Sequence, residues 1–430
     1  MRNLFKNLRA MLVLPALLAA LTVQADVTPE QLQFIETEDG YVVAKAEGAT
    51  LEGVLAIPAT YEGKPVVEIS KKAFESCHGL TAVVLPSGIK GIGTSAFAKC
   101  DGLREVTFPE GLIRIGAWAF YGCAGLTSVT LPASLKVLDP GAFEYCSNLE
   151  RFDVEPGNTA YSSVEGFLCD VGKQKLFYCP NAREGKVVVP EGITEIHGFA
   201  FCTCNKVTAV WVPAGVKSIN KYAFLDCHNL RGIHVDKGNA DYCSVRGVLY
   251  DKSMQTIICC PAAYSGKFSI PASVTAIMNA TFSGCHRLKS IRVAKDNAAF
   301  CSVRGILYDK SMQTLYTCPG AYRGSVVVPD GVTKIRFGGF FDCYVGLKSV
   351  DLPASVGSVG SRAFWHCKAL QRLTCRASVP PQLEREAFDV VFEDNAQYQE
   401  LPVYVPAASV DAYRADKDWG KFEKILPIEP

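Results

Sequence analysis

Short apolar segments that alternate with polar positions and end on proline recur along the chain. In Val83-Val84-Leu85-Pro86, for example, apolar residues flank a central position. A period of two places the flanking side chains on one face of a strand and the central side chain on the other. Because the flanks are constant and apolar, they must point inward and the central residues outward. The pattern predicts fourteen strands, with central residues Ala56, Val84, Thr107, Thr130, Asp153, Val188, Trp211, His234, Ser269, Arg292, Val327, Asp351, Thr374 and Tyr404.

A second motif returns at a fixed distance from these strands. Phe74 and Phe97 are 23 residues apart, and each is preceded by alanine and followed three residues later by cysteine. The unit reads A-F-x-x-C-x-x-L-x-x-V-x-L-P-x-x-I-x-x-I. A fixed period of this length predicts a solenoid in which each coil packs only on its neighbours. The other copies of the phenylalanine are Phe120, Phe143, Phe201, Phe224, Phe282, Phe340, Phe364 and, in a degenerate unit, Phe388.

The cysteine of this motif is predicted to form a ladder of buried free thiols opposite the strands. Cysteine behaves as a small buried hydrophobe with a weak S–H donor. Stacked coils would bring neighbouring cysteines within disulfide reach, but a single structural role accounts for every copy at once. The predicted ladder consists of Cys77, Cys100, Cys123, Cys146, Cys204, Cys227, Cys285, Cys343 and Cys367.

Three of the gaps between motif phenylalanines are 58 residues long, so each contains a 35-residue insertion. The insertions lie near residues 155–189, 236–270 and 294–328, and their sequences are related. Each has two short apolar runs around a polar turn, which predicts a β-hairpin. Within them, Cys243 and Cys260, like Cys301 and Cys318, are 17 residues apart. A disulfide between the two cysteines of each pair stays an open alternative, although the register counted from the turn does not place them opposite each other.

The repeat resembles that of the BspA-type leucine-rich repeat family, I-x-x-x-A-F-x-x-C-x-x-L-x-x-V-x-I-P. The resemblance covers the chain from about Leu55 onward. It implies a leucine-rich-repeat-like solenoid, a β-rich, right-handed stack of coils with short helical and turn segments and β-hairpin insertions. Members of the family are typically surface or secreted proteins of host-associated bacteria and some protozoa. The resemblance therefore implies adhesion or protein binding.

We expect four segments along the chain: a signal peptide at residues 1–25, an N-terminal cap at 26–58, the repeat array at 59–395 and a C-terminal cap at 396–430. Arg2, Lys6 and Arg9 precede an apolar run, and small residues end it at Ala25. This is the pattern of a secretory signal peptide. No later stretch has the roughly 20 apolar residues of a spanning helix. We expect a protein that is secreted, periplasmic or on the cell surface.

Composition and chemistry favour a binding protein over an enzyme. The 44 basic and 43 acidic residues balance, so no net field favours nucleic acid. Four histidines, His78, His228, His286 and His366, lie beside ladder cysteines. C-x-x-C spacing is absent, however, and buried thiols make poor nucleophiles. We therefore expect no catalytic residues, no bound metal and no cofactor.

The outward row of strand residues is the predicted ligand surface, because a repeat array leaves these positions free to vary. The candidates are Asp153, Trp211, His234, Arg292, Asp351 and Tyr404. Aromatic residues and arginine are common interface anchors. The expected partner is a protein, such as a host extracellular protein. Two alternatives stay open: a carbohydrate-binding accessory, which requires aromatic platforms on one face, and a structural envelope spacer without a ligand.

Overall fold

The computed structural model describes residues 26–344, 346–388 and 400–429. The predicted signal peptide and part of the predicted C-terminal cap lie outside these residues. Most coils contribute one strand to a front row and a shorter strand to a rear row, with turns between them. Successive strands in each row are parallel, as stacking of similar coils requires. The chain is a β-solenoid, and the predicted fold class is confirmed.

All fourteen predicted strands are present in the front row. Their central residues are direct Cα partners wherever two strands pair, as in Ala56 with Val84 and Trp211 with His234. A fifteenth strand extends the row at its end. The front strands are Glu52–Ala56, Gly79–Val84, Glu105–Thr107, Ser128–Leu131, Arg151–Val154, Gly185–Val188, Val207–Val212, Gly232–Val235, Gly266–Ile270, Leu288–Val293, Gly324–Val327, Leu347–Leu352, Arg372–Cys375, Val403–Val405 and Ile425–Pro427.

The front row is not the single continuous sheet that fourteen stacked strands would form. It is divided into five parallel ladders. Three breaks fall at the insertions, where a hairpin turn accepts the hydrogen bond that the next strand would otherwise take. Phe152 N donates to Gly166 O at 2.9 Å, and Ile233 and Ile291 donate to Gly247 and Gly305 in the same way. The fourth break, between Glu105–Thr107 and Ser128–Leu131, has no such turn beside it.

The rear row comes from the I-x-x-I part of each unit, which the sequence did not identify as strand. Most of its strands are only two residues long and pair in parallel with the next coil. The rear strands are Lys64–Ile69, Gly91–Ile92, Arg114–Ile115, Val137–Leu138, Lys175–Tyr178, Glu195–Ile196, Ser218–Ile219, Thr256–Cys259, Ala276–Ile277, Thr314–Thr317, Lys334–Ile335, Ser358–Val359 and Gln382–Leu383.

The three insertions contain the predicted hairpins, but each continues into a third strand. Lys175–Tyr178 is antiparallel to the first hairpin and parallel to the rear strand Glu195–Ile196. Each insertion therefore completes a coil of its own. Positive φ at both turn residues, such as Arg304 and Gly305, fits a tight hairpin turn. The hairpin strands are Tyr161–Val164 with Phe167–Asp170, Tyr242–Val245 with Val248–Asp251, and Phe300–Val303 with Ile306–Asp309.

Different structures close the two ends of the array. At the start, Leu32–Thr37 and Gly40–Lys45 form an antiparallel pair that continues the rear row, and Thr60–Tyr61 pairs with Lys64–Ile69. A 3₁₀ turn at Pro29–Gln31 precedes them. At the other end, the helix Val410–Ala415 lies between 3₁₀ turns at Ala407–Ser409 and Trp419–Lys421. These caps cover strand edges that would otherwise be open to pairing.

The motif phenylalanines stack along the interior of the solenoid. The ring centroids of Phe74, Phe97 and Phe120 are 5.1 and 5.3 Å apart, and all three side chains are fully buried. Offset stacking at this distance adds to the free energy of hydrophobic burial. The alanine before each of these three phenylalanines allows this close approach of successive coils.

Candidate functional site

The motif cysteines lie in the interior, where each donates a hydrogen bond to the preceding coil. Cys100 Sγ lies 3.1 Å from Phe74 O, and Cys123 Sγ lies 3.1 Å from Phe97 O. The same bond recurs at every ladder cysteine except Cys77, which begins the row. Burial raises the pKa of Cys100 to about 12. All eighteen cysteines are free thiols, and every ladder member is buried, an environment in which a thiol is a poor nucleophile.

Three further cysteines occupy the phenylalanine position in the insertion coils, an arrangement that the sequence did not reveal. Cys179 N donates to Ala200 O at 2.6 Å, just as Phe97 N donates to Ala119 O. Its carbonyl in turn accepts from Cys204 Sγ at 3.6 Å. Cys260 and Cys318 make the equivalent contacts. The Cys-Pro dipeptide that follows the third strand of each insertion was the available signal.

The six candidate ligand residues fall into four groups, because hairpins interrupt the front row. Asp153 and Arg292 each stand alone on the last strand before a hairpin. Asp153 accepts a hydrogen bond from Arg151 Nε at 2.7 Å, and Arg292 is exposed. Thirteen of the fourteen central residues are at least partly exposed. Thr374 is the exception, with only 6% of its surface exposed, because the side chain of Arg372 crosses it and donates from Nε to its hydroxyl at 3.4 Å.

Trp211 and His234 form the most prominent of the four groups. They are partners on adjacent strands, and their rings stack with centroids 4.7 Å apart and planes 26° apart. Val188, the partner of Trp211 on the other side, is 61% exposed, while Trp211 itself is 45% exposed. We name these three residues the aromatic patch. It is a row of apolar and aromatic side chains across three consecutive strands.

Asp351 and Tyr404 lie on the last ladder, where each holds an arginine. Asp351 accepts two hydrogen bonds from Arg376, at 2.9 and 2.7 Å. The guanidinium carbon of Arg372 lies 3.8 Å from the centroid of the Tyr404 ring. These two candidates therefore orient arginines, and the arginines present the hydrogen-bond donors. Sequence analysis had not singled out either arginine, because each lies two residues from the central position Thr374.

The histidines beside the ladder cysteines do not converge on one point. His78 Nδ1 lies 2.8 Å from Asp101, and His366 Nδ1 lies 2.9 Å from Asp342. The rings of His228 and His286 are 6.0 Å apart. Within residues 26–344, 346–388 and 400–429, no three His, Cys, Asp or Glu side chains are arranged to hold a metal ion. None of the helices in these same ranges is long and apolar enough to cross a membrane.

A buried asparagine docks each hairpin onto the preceding coil, and sequence analysis missed all three. Asn239 donates to Pro213 O and Val216 O, and its side-chain oxygen accepts from the amides of Asp241 and Tyr242, all within 3.1 Å. Asn158 and Asn297 repeat this pattern. Their common position, three residues before each hairpin strand, was the signal that could have found them.

A group of ionisable side chains lies on the turns that follow Phe143 and Phe224. Glu144 is 8% exposed, and its Oε1 has no hydrogen-bond partner among the residues that the structure describes. Burial, with a smaller contribution from Asp226, raises the pKa of Glu144 to about 7, while Arg362 opposes this rise. Tyr145 donates its hydroxyl to Asp226 at 3.2 Å. Burial and then Asp342 raise the pKa of Asp226 as well.

Comparisons with solved structures find similar proteins of bacterial origin. A leucine rich cell surface protein from Faecalibacterium prausnitzii is 22% identical, with a TM-score of 0.38, over 81% of this chain and 94% of that chain. A leucine rich repeat protein from T. pallidum is 25% identical, with a TM-score of 0.32, over 61% and 90% of the two chains. The pneumococcal vaccine antigen PcpA is 15% identical, with a TM-score of 0.35, over 94% and 98%. No curated protein matches the chain.

A family model gives the more specific result. The model described as the BspA type leucine rich repeat region matches in six copies, over residues 67–167, 170–247, 260–302 and 316–393. These ranges cover more than half of the chain and include every motif phenylalanine of the array. The chain belongs to the BspA-type leucine-rich repeat family.

Proposed function

We propose that this chain is an exported, non-enzymatic binding protein that holds a protein ligand on the aromatic patch formed by Val188, Trp211 and His234. Leucine-rich repeat families of this kind generally act by binding proteins. The basic residues and apolar run within residues 1–25, which have the pattern of a signal peptide, support the proposal of export. The proposed partner is an extracellular protein, such as an extracellular protein of a host.

The observation that carries the proposal is the exposure of three adjacent apolar and aromatic side chains in one register. Val188 and Trp211 are 61% and 45% exposed, although each lies next to fully buried core residues. The stack with His234 restricts the Trp211 ring, so less side-chain entropy is lost on binding. Large, rigid aromatic side chains are the residues that most often carry binding energy in protein interfaces.

The surroundings of the patch suit an interface with a polar rim. Lys186 is exposed on one outer strand of this ladder, and Arg231 is exposed just before the other. Lys206 pairs with Glu184 at 3.5 Å. Hairpin turns close the ladder on both sides, beside Phe152 and Ile233. An apolar centre surrounded by charged groups is the usual arrangement of a transient protein interface.

The test is direct binding of residues 26–430 to a panel of purified extracellular matrix proteins and to a panel of neutral glycans. Trp211→Ala should weaken binding to a matrix protein at least tenfold, and Val188→Ser should weaken it less. Arg104→Ala, an exposed change beside a separate ladder, is the matched control and should leave affinity unchanged. Binding that survives Trp211→Ala would contradict the proposed site. Capture of glycans alone would favour the carbohydrate-binding alternative, and no capture at all would favour the spacer.

A further inference from the structure

A polar depression of about 220 Å³ lies on the last front ladder, away from the aromatic patch. Strands Gly324–Val327, Leu347–Leu352 and Arg372–Cys375 form its floor, and Ile428 lies at its edge. The volume is below that of most pockets for drug-sized ligands, so it suits a single ring or side chain. Its polar lining comes from Ser325, Ser349, Asp351, Arg372, Thr374 and Arg376.

Arg372 is held in a fixed position above this floor. Its guanidinium carbon lies 3.8 Å from the centroid of the Tyr404 ring, and its Nε donates to the buried hydroxyl of Thr374. A surface arginine that is fixed at both its face and its Nε loses little conformational entropy when it binds. Within the described residues, its two terminal nitrogens make no hydrogen bond or ion pair, so they stay open to a ligand.

The depression carries one uncompensated positive charge. Asp351 forms a two-point pair with Arg376, at 2.9 and 2.7 Å, which neutralises that second arginine. No acidic side chain in the described ranges pairs with Arg372. A planar guanidinium with two free nitrogens matches the two oxygens of a carboxylate. The depression therefore favours an anionic group that accepts two parallel hydrogen bonds.

Hydroxyl groups supply the rest of the polar lining. Ser349 donates to Ser325 at 2.7 Å, which leaves the Ser325 proton free to donate in turn. The carboxylate oxygens of Asp351, although paired, keep lone pairs that can accept from a ligand hydroxyl. Val327, 60% exposed, gives the depression an apolar wall. Donors, acceptors and a small apolar surface beside a carboxylate site fit a sugar ring with several hydroxyls.

We infer that this depression binds a carboxylated sugar residue of an acidic glycan, with Arg372 on the carboxylate and Ser325 and Asp351 on ring hydroxyls. An acidic side chain of a peptide would contact Arg372 but not the hydroxyl groups of the lining. A carboxylated sugar would contact both, so it matches the depression better. The depression shares no residue with the aromatic patch. An experiment can therefore disprove ligand binding at one of the two sites without affecting the proposal for the other.

The experiment measures binding of residues 26–430 to an oligosaccharide that contains glucuronic acid and to the same oligosaccharide after reduction of its carboxyl groups. The reduced form differs only in having –CH₂OH in place of each carboxylate. We expect the acidic form to bind at least tenfold more tightly, with an affinity that falls as salt is raised. Equal binding of the two forms, or binding of neither, would overturn the inference.

Variants locate the site. Arg372→Gln should abolish the preference for the acidic oligosaccharide, and Arg372→Lys should retain only part of it, because an ammonium group cannot form the two-point contact. Arg104→Gln removes one exposed arginine beside another ladder and should change nothing. Retention of the preference by Arg372→Gln would rule out this depression. Tight binding of a glutamate-rich peptide by the same arginine, without binding of the glycan, would overturn the assignment to a sugar.

Discussion

One turn position of the repeat holds a buried ionisable side chain, that of Glu144. Glu144 follows a motif phenylalanine, a position that lies on the turn between coils. The neighbouring coils cover it almost completely, and one of its oxygens has no hydrogen-bond partner in the described part of the chain. A buried carboxylate without full hydrogen bonding is destabilised relative to its protonated form. The charge at this single residue should therefore make folding depend on pH.

Glu144→Gln should stabilise the protein at alkaline pH and have little effect in acid. The folded-state pKa is raised from 4.5 to about 7. Below pH 4.5 both the folded and the unfolded state bind the proton, so the group has no effect on stability. Between pH 4.5 and 7 the unfolded state releases its proton first, and above pH 7 the folded state bears the full penalty. At 1.36 kcal/mol for each pKa unit, this penalty is about 3 kcal/mol.

Urea unfolding of both proteins at pH 4.5 and pH 8 measures this difference. The variant should exceed the wild type by about 3 kcal/mol at pH 8 and match it at pH 4.5. Glu150→Gln, an exposed change in the same coil, controls for loss of a negative charge from the surface. An equal gain for Glu144→Gln at both pH values would show that neutral packing, and not ionisation, accounts for the effect.

At the scale of elements, the sequence located strands better than it located their connections. The front strands were predictable because inward residues such as Val83 and Leu85 must be apolar in every coil. The breaks between ladders were not, because they depend on backbone hydrogen bonds such as Phe152 N to Gly166 O, which leave no side-chain pattern. The two-residue rear strands are too short for a period to be visible. Arg372 and Arg376 escaped notice because their importance depends on Tyr404 and Asp351 from neighbouring strands.

The docking of a hairpin should depend on its buried asparagine. Asn239→Ala removes four hydrogen bonds to the backbone and leaves two buried carbonyls without that donor. At about 0.5–1.5 kcal/mol for each bond, the expected loss is about 3 kcal/mol. Amide hydrogen exchange should show the loss first in the hairpin strands Tyr242–Val245 and Val248–Asp251.

Asn229→Ala is the matched control, because Asn229 is exposed and donates a single hydrogen bond to Asn205 O. Its cost should stay below about 1 kcal/mol. Normal protection of the second hairpin in Asn239→Ala would mean that its strands hold their position through the rear row alone. In that case the asparagine would be dispensable for docking, and the break in the front ladder would depend only on the turn at Gly247.

For the whole molecule, the repeat architecture means that each coil is stabilised mainly by its two neighbours. The hairpin coils keep this rule, since their third strands pair with rear strands of adjacent coils. The ends are exceptions, because each terminal coil has only one neighbour. The C-terminal end replaces the missing coil with aromatic packing, in which Trp419 contacts Tyr413 and Phe422 at ring distances of 5.2 and 5.8 Å. Stability near that end, and with it the Arg372 depression, should depend on this cap.

Trp419→Ala should unfold the last coils and leave the first ones intact. Trp419 is fully buried, and its indole nitrogen donates to Pro381 O at 2.7 Å. Truncation of such a side chain costs about 3–5 kcal/mol. Because each coil is stabilised mainly by contacts with its neighbours, the loss of stability should be confined to the coils near the C-terminal end.

Amide hydrogen exchange measures this loss. Exchange should accelerate in Val403–Val405 and Arg372–Cys375 and stay unchanged in Gly79–Val84. Lys417→Ala, an exposed change in the same cap, should leave exchange unchanged at both ends. Equal acceleration at both ends would instead mean that the chain unfolds as one cooperative unit, and that the hairpins couple the five ladders more strongly than neighbour stacking alone.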